Sequence, residues 1–284
     1  MKTKPDFFSG RRLLIVTKHE KEAVIAPLLE KALGVTCFVT EDFDTDSLGT
    51  FSGEIARKDD ALTTLRKKCW AGMKSEGFDL AVATEGSFGN HPTVFFAPAN
   101  DELIMLVDQK NNLEIVERVL SMDTNFDSSE LHTRDELKAF LDKVQFPLHG
   151  VIMKDAAENW TKIYKGITNY DSVETKFDKI IAYSNSCFIE TDMRAMYNPT
   201  RMKIINDVSF RLINKLHSVC PECLYPGFGV VGAEAGLICS SCSMPTRSTS
   251  AHIYKCQHCN YESKVLYPNG KKNEDPMYCD FCNP

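Results

Sequence analysis

Apolar residues along the chain alternate between short unbroken runs and stripes at helical spacing. Arg12–Thr17 reads RLLIVT, the pattern of a short buried strand. Glu20–Leu33 then places Val24, Ile25, Leu28, Leu29 and Leu33 on one helical face, with Gly34 as a stop. Thr17 and Glu20 fit a Ser/Thr-x-x-Glu capping box, and Pro27 predicts an irregular helix because it cannot donate to the preceding turn. Val35–Thr40 predicts a second strand, Asp59–Glu76 a second helix with Leu62, Leu65, Cys69 and Met73 on its apolar side, and Phe78–Thr84 a third strand. Residues 101–120 read as paired strands around the polar turn Gln109–Asn112. His149–Lys154 and Ser186–Thr191 are further short strands, separated by a helical stretch over Asp155–Tyr183, and Pro199–His217 is the last helix. Residues 121–136 are polar and read as a loop or helix start. This alternation predicts an α/β fold built on a mostly parallel sheet with helices on both faces.

Composition narrows the class. With 284 residues, 43% apolar and 25% charged, the chain has enough apolar mass for one or two cores, which excludes disorder and collagen-like structure. No run approaches the roughly 20 apolar residues of a membrane span. The N-terminus MKTKPDFFSGRR is polar and basic where a signal peptide is apolar, so a soluble, cytoplasmic protein with no membrane contact is expected. The formal charge of -6 argues against broad electrostatic attachment to nucleic acid.

Cysteine changes the picture. Of 11 cysteines, Cys37, Cys69 and Cys187 lie in apolar surroundings and read as core residues. The other eight form four CxxC pairs: Cys220/Cys223, Cys239/Cys242, Cys256/Cys259 and Cys279/Cys282. Two thiolates two residues apart converge on one tetrahedral ion, and a second pair completes a closed, structural site. In a chain without a secretion signal this spacing predicts two structural zinc ions rather than disulfides. Sequential pairing makes two tandem ribbons. A crossed pairing instead joins Cys220/Cys223 with Cys256/Cys259 and Cys239/Cys242 with Cys279/Cys282, and the sequence favours the sequential one. The expected organisation is an α/β domain over 1–217 and a double zinc ribbon over 218–284, whose folding free energy comes mainly from metal, on the order of 10 kcal/mol per site. The ribbons lack a basic stripe, so a protein partner fits them better than nucleic acid.

In an open α/β sheet, ligands bind beyond the carboxyl ends of the strands. The segment after the first strand carries His19 and Lys21, and that after the second carries Asp44 and Asp46 in an acidic loop. The third leads into Glu85, Gly86, Ser87, Gly89 and His91. Its two glycines suit a turn that presents N–H groups to an anion, with Glu85 placed to hold a metal or accept a proton. Asn198–Pro199 is an N-cap followed by proline at the first helical position, so Arg201 lies in a first turn where a cation is disfavoured unless an anion is near. Arg194 sits just upstream, and Glu190 and Asp192 share a face if the segment is a strand, which suits Mg²⁺ beside a phosphate.

TKHEKEAVIAPLLEKALG, GTFSGEIARKDDAL, ATEGSFGNHP and ETDMRAMYNPTRM, followed by the cysteine-rich tail, resemble a mostly bacterial domain-of-unknown-function family over nearly the whole chain. That resemblance implies an arrangement and no activity. Residues 11–110 also bear a looser likeness to the inosine/xanthosine triphosphate pyrophosphatase fold, which implies Thr17-Lys18-His19 as its first loop, Arg66-Lys67-Lys68 on its helix and Glu85-Gly86 as its acidic loop. The resulting expectation is a Mg²⁺-dependent hydrolase of a phosphorylated small molecule or nucleotide. In it Glu85, Glu190 and Asp192 hold metal and activate water, Arg194 and Arg201 clamp phosphate, and Lys21 or His19 assists. The alternative is a noncatalytic anion-sensing or adaptor protein whose ribbons bind a protein, and a third reading is nucleic-acid binding through the ribbons.

Overall fold

The computed structural model describes residues 6–41 and 59–284, so Asp44 and Asp46 lie outside the described residues. The chain divides into two compact units, Phe8–Leu212 and Ile213–Pro284, the latter with Phe7.

The first unit contains two sheets. In the larger, β1 (Arg12–Val16), β2 (Thr36–Val39), β3 (Leu80–Asn90), β4 (Pro98–Asp108) and β5 (Leu113–Ser121) lie in the order β2-β1-β3-β4-β5. β1 pairs parallel with β2 and β3, through crossovers that contain α1 (Glu22–Leu33) and α2 (Ala61–Glu76). β3, β4 and β5 form an antiparallel meander. The second sheet, β6 (Ser128–Leu131), β9 (Cys187–Thr191), β7 (Val151–Lys154) and β8 (Ile163–Ile167), is antiparallel throughout. The α/β class is therefore right and the mostly parallel sheet is not. Short tight connections such as Gln109–Asn112 permit only antiparallel return, because a parallel neighbour needs a crossover of a dozen residues or more.

Several local expectations also change. α1 runs unbroken through Pro27, which is exposed, so the carbonyl it leaves without a donor lies on the solvent side of the helix. The capping box at Thr17–Glu20 does not form: Thr17 Oγ1 accepts instead from the His19 N–H, Glu20 has φ +56°, and the helix begins at Glu22. A capping box does form at Thr133–Glu136 and starts α3 (Arg134–Lys143) inside the segment read as loop or helix start. The stretch 155–183 is not one helix. It contains β8 and then α4 (Tyr170–Ser184), divided at Gly166, whose φ of +65° and close approach to the Tyr197 ring leave no room for a side chain.

The two faces of the larger sheet have different roles. Leu14, Val16, Ala81, Ala83, Met105 and Val107 pack with Leu65, Cys69 and Met73 of α2 in one apolar cluster. On the opposite face Leu13, Ile15, Val82, Ile104 and Leu106 are buried, and further along the same face β3 and β4 present Gly86, Phe88, Asn100 and Glu102. α5 (Pro199–His217) brings Arg201 onto Glu102 there. The second sheet packs Val151, Met153, Cys187 and Ile189 against Leu137, Phe140, Leu141, Val173 and Phe177 of α3 and α4.

The cysteine-rich unit is a three-stranded antiparallel sheet, β10 (Gly229–Ala235), β12 (Thr249–Lys255) and β13 (Glu262–Leu266), plus a two-residue parallel pair, β11 (Ile238–Cys239) with β14 (Asn273–Glu274). Its aliphatic core is small, with Leu237 and Ala251 among its few buried apolar residues besides cysteine.

Gly86 is the tightest backbone position beside the Arg201–Glu102 pair. A Cβ there would lie 2.6 Å from Arg201 Nη2 and closer still to Glu102 Oε2. Gly86→Ala is expected to destabilise the first unit by about 1–3 kcal/mol, as overpacking does, read as a lowered midpoint in urea unfolding.

Candidate functional site

β1 stops at Val16, paired with Ala83, whereas β3 continues to Asn90. The edge of β3 beyond Ala83 is thus left without a β1 partner, and the 17–21 loop fills the place. Lys21, 5% exposed, reaches across to donate to Thr84 Oγ1 at 2.7 Å and to the Thr84 carbonyl at 3.5 Å, with Glu102 Oε1 4.0 Å from its amine. Because the sheet is only one strand thick, side chains from both faces meet at this end. Glu85 faces the α2 side and pairs with Lys68; Glu102 faces the other side and receives Arg201 through Nε at 3.0 Å and Nη2 at 3.1 Å.

Arg201 is 1% exposed and has all its directions spoken for. Its Nη1 donates to the Met193 carbonyl at 2.7 Å, and its own N–H is capped by Asn198 Oδ1 at 2.9 Å. Pro199 occupies the first helical position as expected. The anion that Arg201 needs in that first turn is supplied by the protein itself, as Glu102. Asn198 Nδ2 in turn donates to Asn125 Oδ1 at 2.8 Å. Asp192, fully buried, accepts from Arg194 Nε at 3.0 Å and Nη2 at 2.6 Å and from the Gly166 N–H at 3.1 Å.

The electrostatics of this end centre on His19. Burial, and after it the positive charges of Lys21, Arg201, Arg194 and Lys68, push its imidazole down to about 3, so it is neutral at physiological pH. Burial, followed by Arg201, lowers Lys21 to about 7 even though Glu102 opposes the shift. Four cations thus act on His19, against the carboxylates of Glu85, Glu102 and Asp192 that pair with them.

His19, Lys21, Arg194 and Arg201, picked out from the sequence, therefore share one neighbourhood. Glu190 has a different partner. Its carboxylate pairs with Lys154 at 2.7 Å on the second sheet, where the Lys154 amine lies 4.4 Å from the Trp160 ring centroid. Glu85, Glu190 and Asp192 each have a separate cation, and among the described residues no group of three His, Cys, Asp or Glu converges except two cysteine quartets. Gly86, Ser87 and Gly89 stand in β3 opposite Glu102, Asp101 and Ala99 rather than in an anion-cradling loop. Gly86 instead makes room for the ion pair. His91 Nδ1 accepts from the Val94 N–H at 3.1 Å and shapes the turn after β3. Arg66 and Lys67 turn to Glu114 and Asp59, leaving Lys68 as the member of that run that reaches the strand end.

Glu102 and Lys68 complete the arrangement. Glu102 had a signal in the sequence: a lone acid in register with the inward positions Ile104 and Leu106 of a strand must find a buried cation. Cys37, Cys69 and Cys187 have thiols pushed up to about 12 by burial, which makes them inert.

The quartets are Cys220, Cys223, Cys256, Cys259 and Cys239, Cys242, Cys279, Cys282: the crossed pairing, not the tandem one favoured by chain order. Strand pairing explains it. β10 leaves the first CxxC turn antiparallel to β12, which enters the third, and β11 enters the second turn parallel to β14, which precedes the fourth. The first three turns repeat one design. In each, the first cysteine's N–H bonds the carbonyl five residues on (Tyr225, Met244, Tyr261), and its carbonyl accepts from the residue four on. That fourth residue, Leu224, Ser243 or Asn260, has φ between +58° and +61°. The Cys239 thiol is lowered to about 7 by the N–H groups of Cys242 and Ser241, which favours the ligating thiolate.

The sulfurs fit a tetrahedral ion. Bonds of about 2.3 Å to four thiolates give an S···S edge of about 3.8 Å. Cys220–Cys259, Cys223–Cys256 and Cys242–Cys279 stand 3.6 Å apart and Cys239–Cys282 3.8 Å apart. Four sulfurs leave no open position, so each ion would be structural.

Two predictions follow from these geometries. Replacing Cys220, Cys223, Cys256 and Cys259 together by Ala should leave one metal ion per chain, whereas replacing Cys220, Cys223, Cys239 and Cys242 should leave none. Tandem pairing requires the reverse, and metal analysis by mass spectrometry decides. Arg201→Met strands Glu102 as a buried unpaired charge and should cost about 3–5 kcal/mol in denaturant unfolding.

No curated protein and no solved structure matches the chain. Residues 68–284 match the family described as Domain of unknown function (DUF6671), and since the match covers well over half the sequence, the chain belongs to that family.

Proposed function

We propose that this protein binds a small phosphate- or carboxylate-bearing molecule at the strand end around His19, in a unit joined to a zinc-stapled tail. The observation that carries the reading is the gathering of Lys21, Lys68, Arg194 and Arg201 about one neutral imidazole. Arg194 is the arm best placed to meet a ligand: its side chain is 21% exposed, whereas Arg201 is sealed against Glu102. An arriving anion adds charge-assisted hydrogen bonds to cations whose present carboxylates leave a net positive field.

Zinc is the ion that four thiolates in a closed tetrahedral set favour, and binding it contributes folding free energy to a unit with so little apolar core. Residues Cys220, Cys223, Cys256 and Cys259 would hold one ion and Cys239, Cys242, Cys279 and Cys282 the other. The exposed Met277, Tyr278 and Phe281 beside the last pair support a protein contact over a nucleic-acid one.

Between the noncatalytic and hydrolytic readings, the noncatalytic one is better supported, because each carboxylate needed for Mg²⁺ is neutralised by its own cation. One observation favours chemistry as a second reading: Lys21 at about 7 and neutral His19 can both exchange protons near pH 7.

The test is titration with inorganic phosphate, nucleoside triphosphates and small carboxylates, with and without Mg²⁺. Binding should be Mg²⁺-independent and lost in Arg194→Ala. It should also raise the His19 pKa, since an anion offsets the cations that hold it down; nuclear magnetic resonance of the imidazole reads this directly. The sign for stability follows. Between about 6.5 and 3 the unfolded chain takes up a proton that folded His19 refuses, so stability falls with falling pH, and a bound anion should shallow that fall. Absence of any anion-induced shift in His19 would sink the reading, and phosphate release dependent on Mg²⁺ would favour the hydrolase.

A further inference from the structure

A cleft of about 450 Å³ opens where the β3–β4 ladder ends, within the range of about 300–1,000 Å³ typical of small-molecule sites. Asn90 and Pro98, the last paired residues of the ladder, line it, with Phe96 from the connecting turn and Asn125 and Phe126 from the segment after β5. Three features define what it would hold. Phe96 is 85% exposed, an aromatic face on the lip with nothing over it. Asn100, two residues along the same strand face from Pro98, is 1% exposed, and its Oδ1 has no hydrogen-bond partner. Its place adjoins the cleft, because Phe88 opposite it packs its ring 5.8 Å from that of Phe126. A buried acceptor left without a donor is rare in a finished interior and fits a donor brought by a ligand. Finally, the charged groups lining the cleft, Asp127 and Lys143, pair with each other at 2.6 Å, so the cleft is not built for a net charge.

We propose that this cleft binds an uncharged planar heteroaromatic ring bearing N–H donors, of the nucleobase kind, stacked on Phe96 with its donor edge toward Asn100. The site is separate in chemistry from the cation cluster at His19: one is aromatic and amide-rich, the other cationic. It stands whether or not that cluster binds anions.

The experiment titrates the full-length, metal-loaded protein with adenosine, guanosine, cytidine and uridine by calorimetry and saturation-transfer resonance. At least one nucleoside should bind, and Phe96→Ala should weaken it at least about fivefold, the scale of a lost base–aromatic stack. Phe95→Ala, an adjacent exposed aromatic outside the lining, and Arg194→Ala should both bind as the unchanged protein does. Phe96 lies on an exposed turn, so its truncation leaves the core untouched. Failure of all four nucleosides at millimolar concentration overturns the proposal, as does equal weakening by Phe95→Ala. Loss in Arg194→Ala would move the ring to the cation cluster and also overturn it. Capture of glucose but no nucleoside, with the same dependence on Phe96, would replace the heteroaromatic ring by a sugar.

Discussion

The ion pair between Arg201 and Glu102 constrains most of what surrounds it. Neither side chain has exposed surface, so neither charge can fall back on water if the other moves, and the pair must form for the unit to close. Its consequences reach outward through named contacts. Gly86 carries no side chain because the pair occupies that volume. Asn198 caps α5 so that Arg201 starts in register, and the Met193 carbonyl takes the remaining guanidinium edge. A helix late in the chain is thereby pinned to a strand 99 residues earlier. The same guanidinium raises the local potential, which keeps His19 neutral and brings Lys21 toward neutrality.

A group of buried cations with matching carboxylates is a structural solution and a binding surface at once. Glu85 with Lys68, Glu102 with Arg201 and Asp192 with Arg194 satisfy one another and leave Lys21 with a hydroxyl and a carbonyl rather than a close carboxylate. Such an end is costly to hold without an anion, since every cation lowers the acceptance of the next. It is also unsuited to a divalent metal, whose charge would face four cations and carboxylates already engaged.

In the cysteine-rich unit metal takes the place of an apolar core. Crossed pairing threads the two sites through each other, so that residues of the second quartet lie in the chain between those of the first. Loss of either ion therefore loosens a loop that contains part of the other site. Aromatic contacts add to this around the first quartet: Tyr225 stacks on His258 at 4.1 Å, joining the first and third CxxC turns.

Much of this was legible in the order of residues. Helical spacing located α2 and α5, Asn198–Pro199 marked a helix start, and four CxxC pairs announced eight metal ligands, because these are local properties of turns and of 3.6-residue periodicity. The choice between parallel and antiparallel pairing was not local. Thr84–Asn90 reads as a glycine-bearing loop until β4 lies beside it and makes it strand. Cysteine pairing was equally hidden, since every CxxC turn offers the same two sulfurs and only the β10–β12 and β11–β14 pairings choose which turns meet. Partners of charged residues were the last thing to emerge. The sequence determined that Arg201 and Glu102 each needed an opposite charge, one from its place in a helix's first turn and the other from an inward strand position. Only the tertiary structure decided that they satisfy each other, and that Glu190 belongs with Lys154, because an ion pair is settled by distance in space and not by separation along the chain.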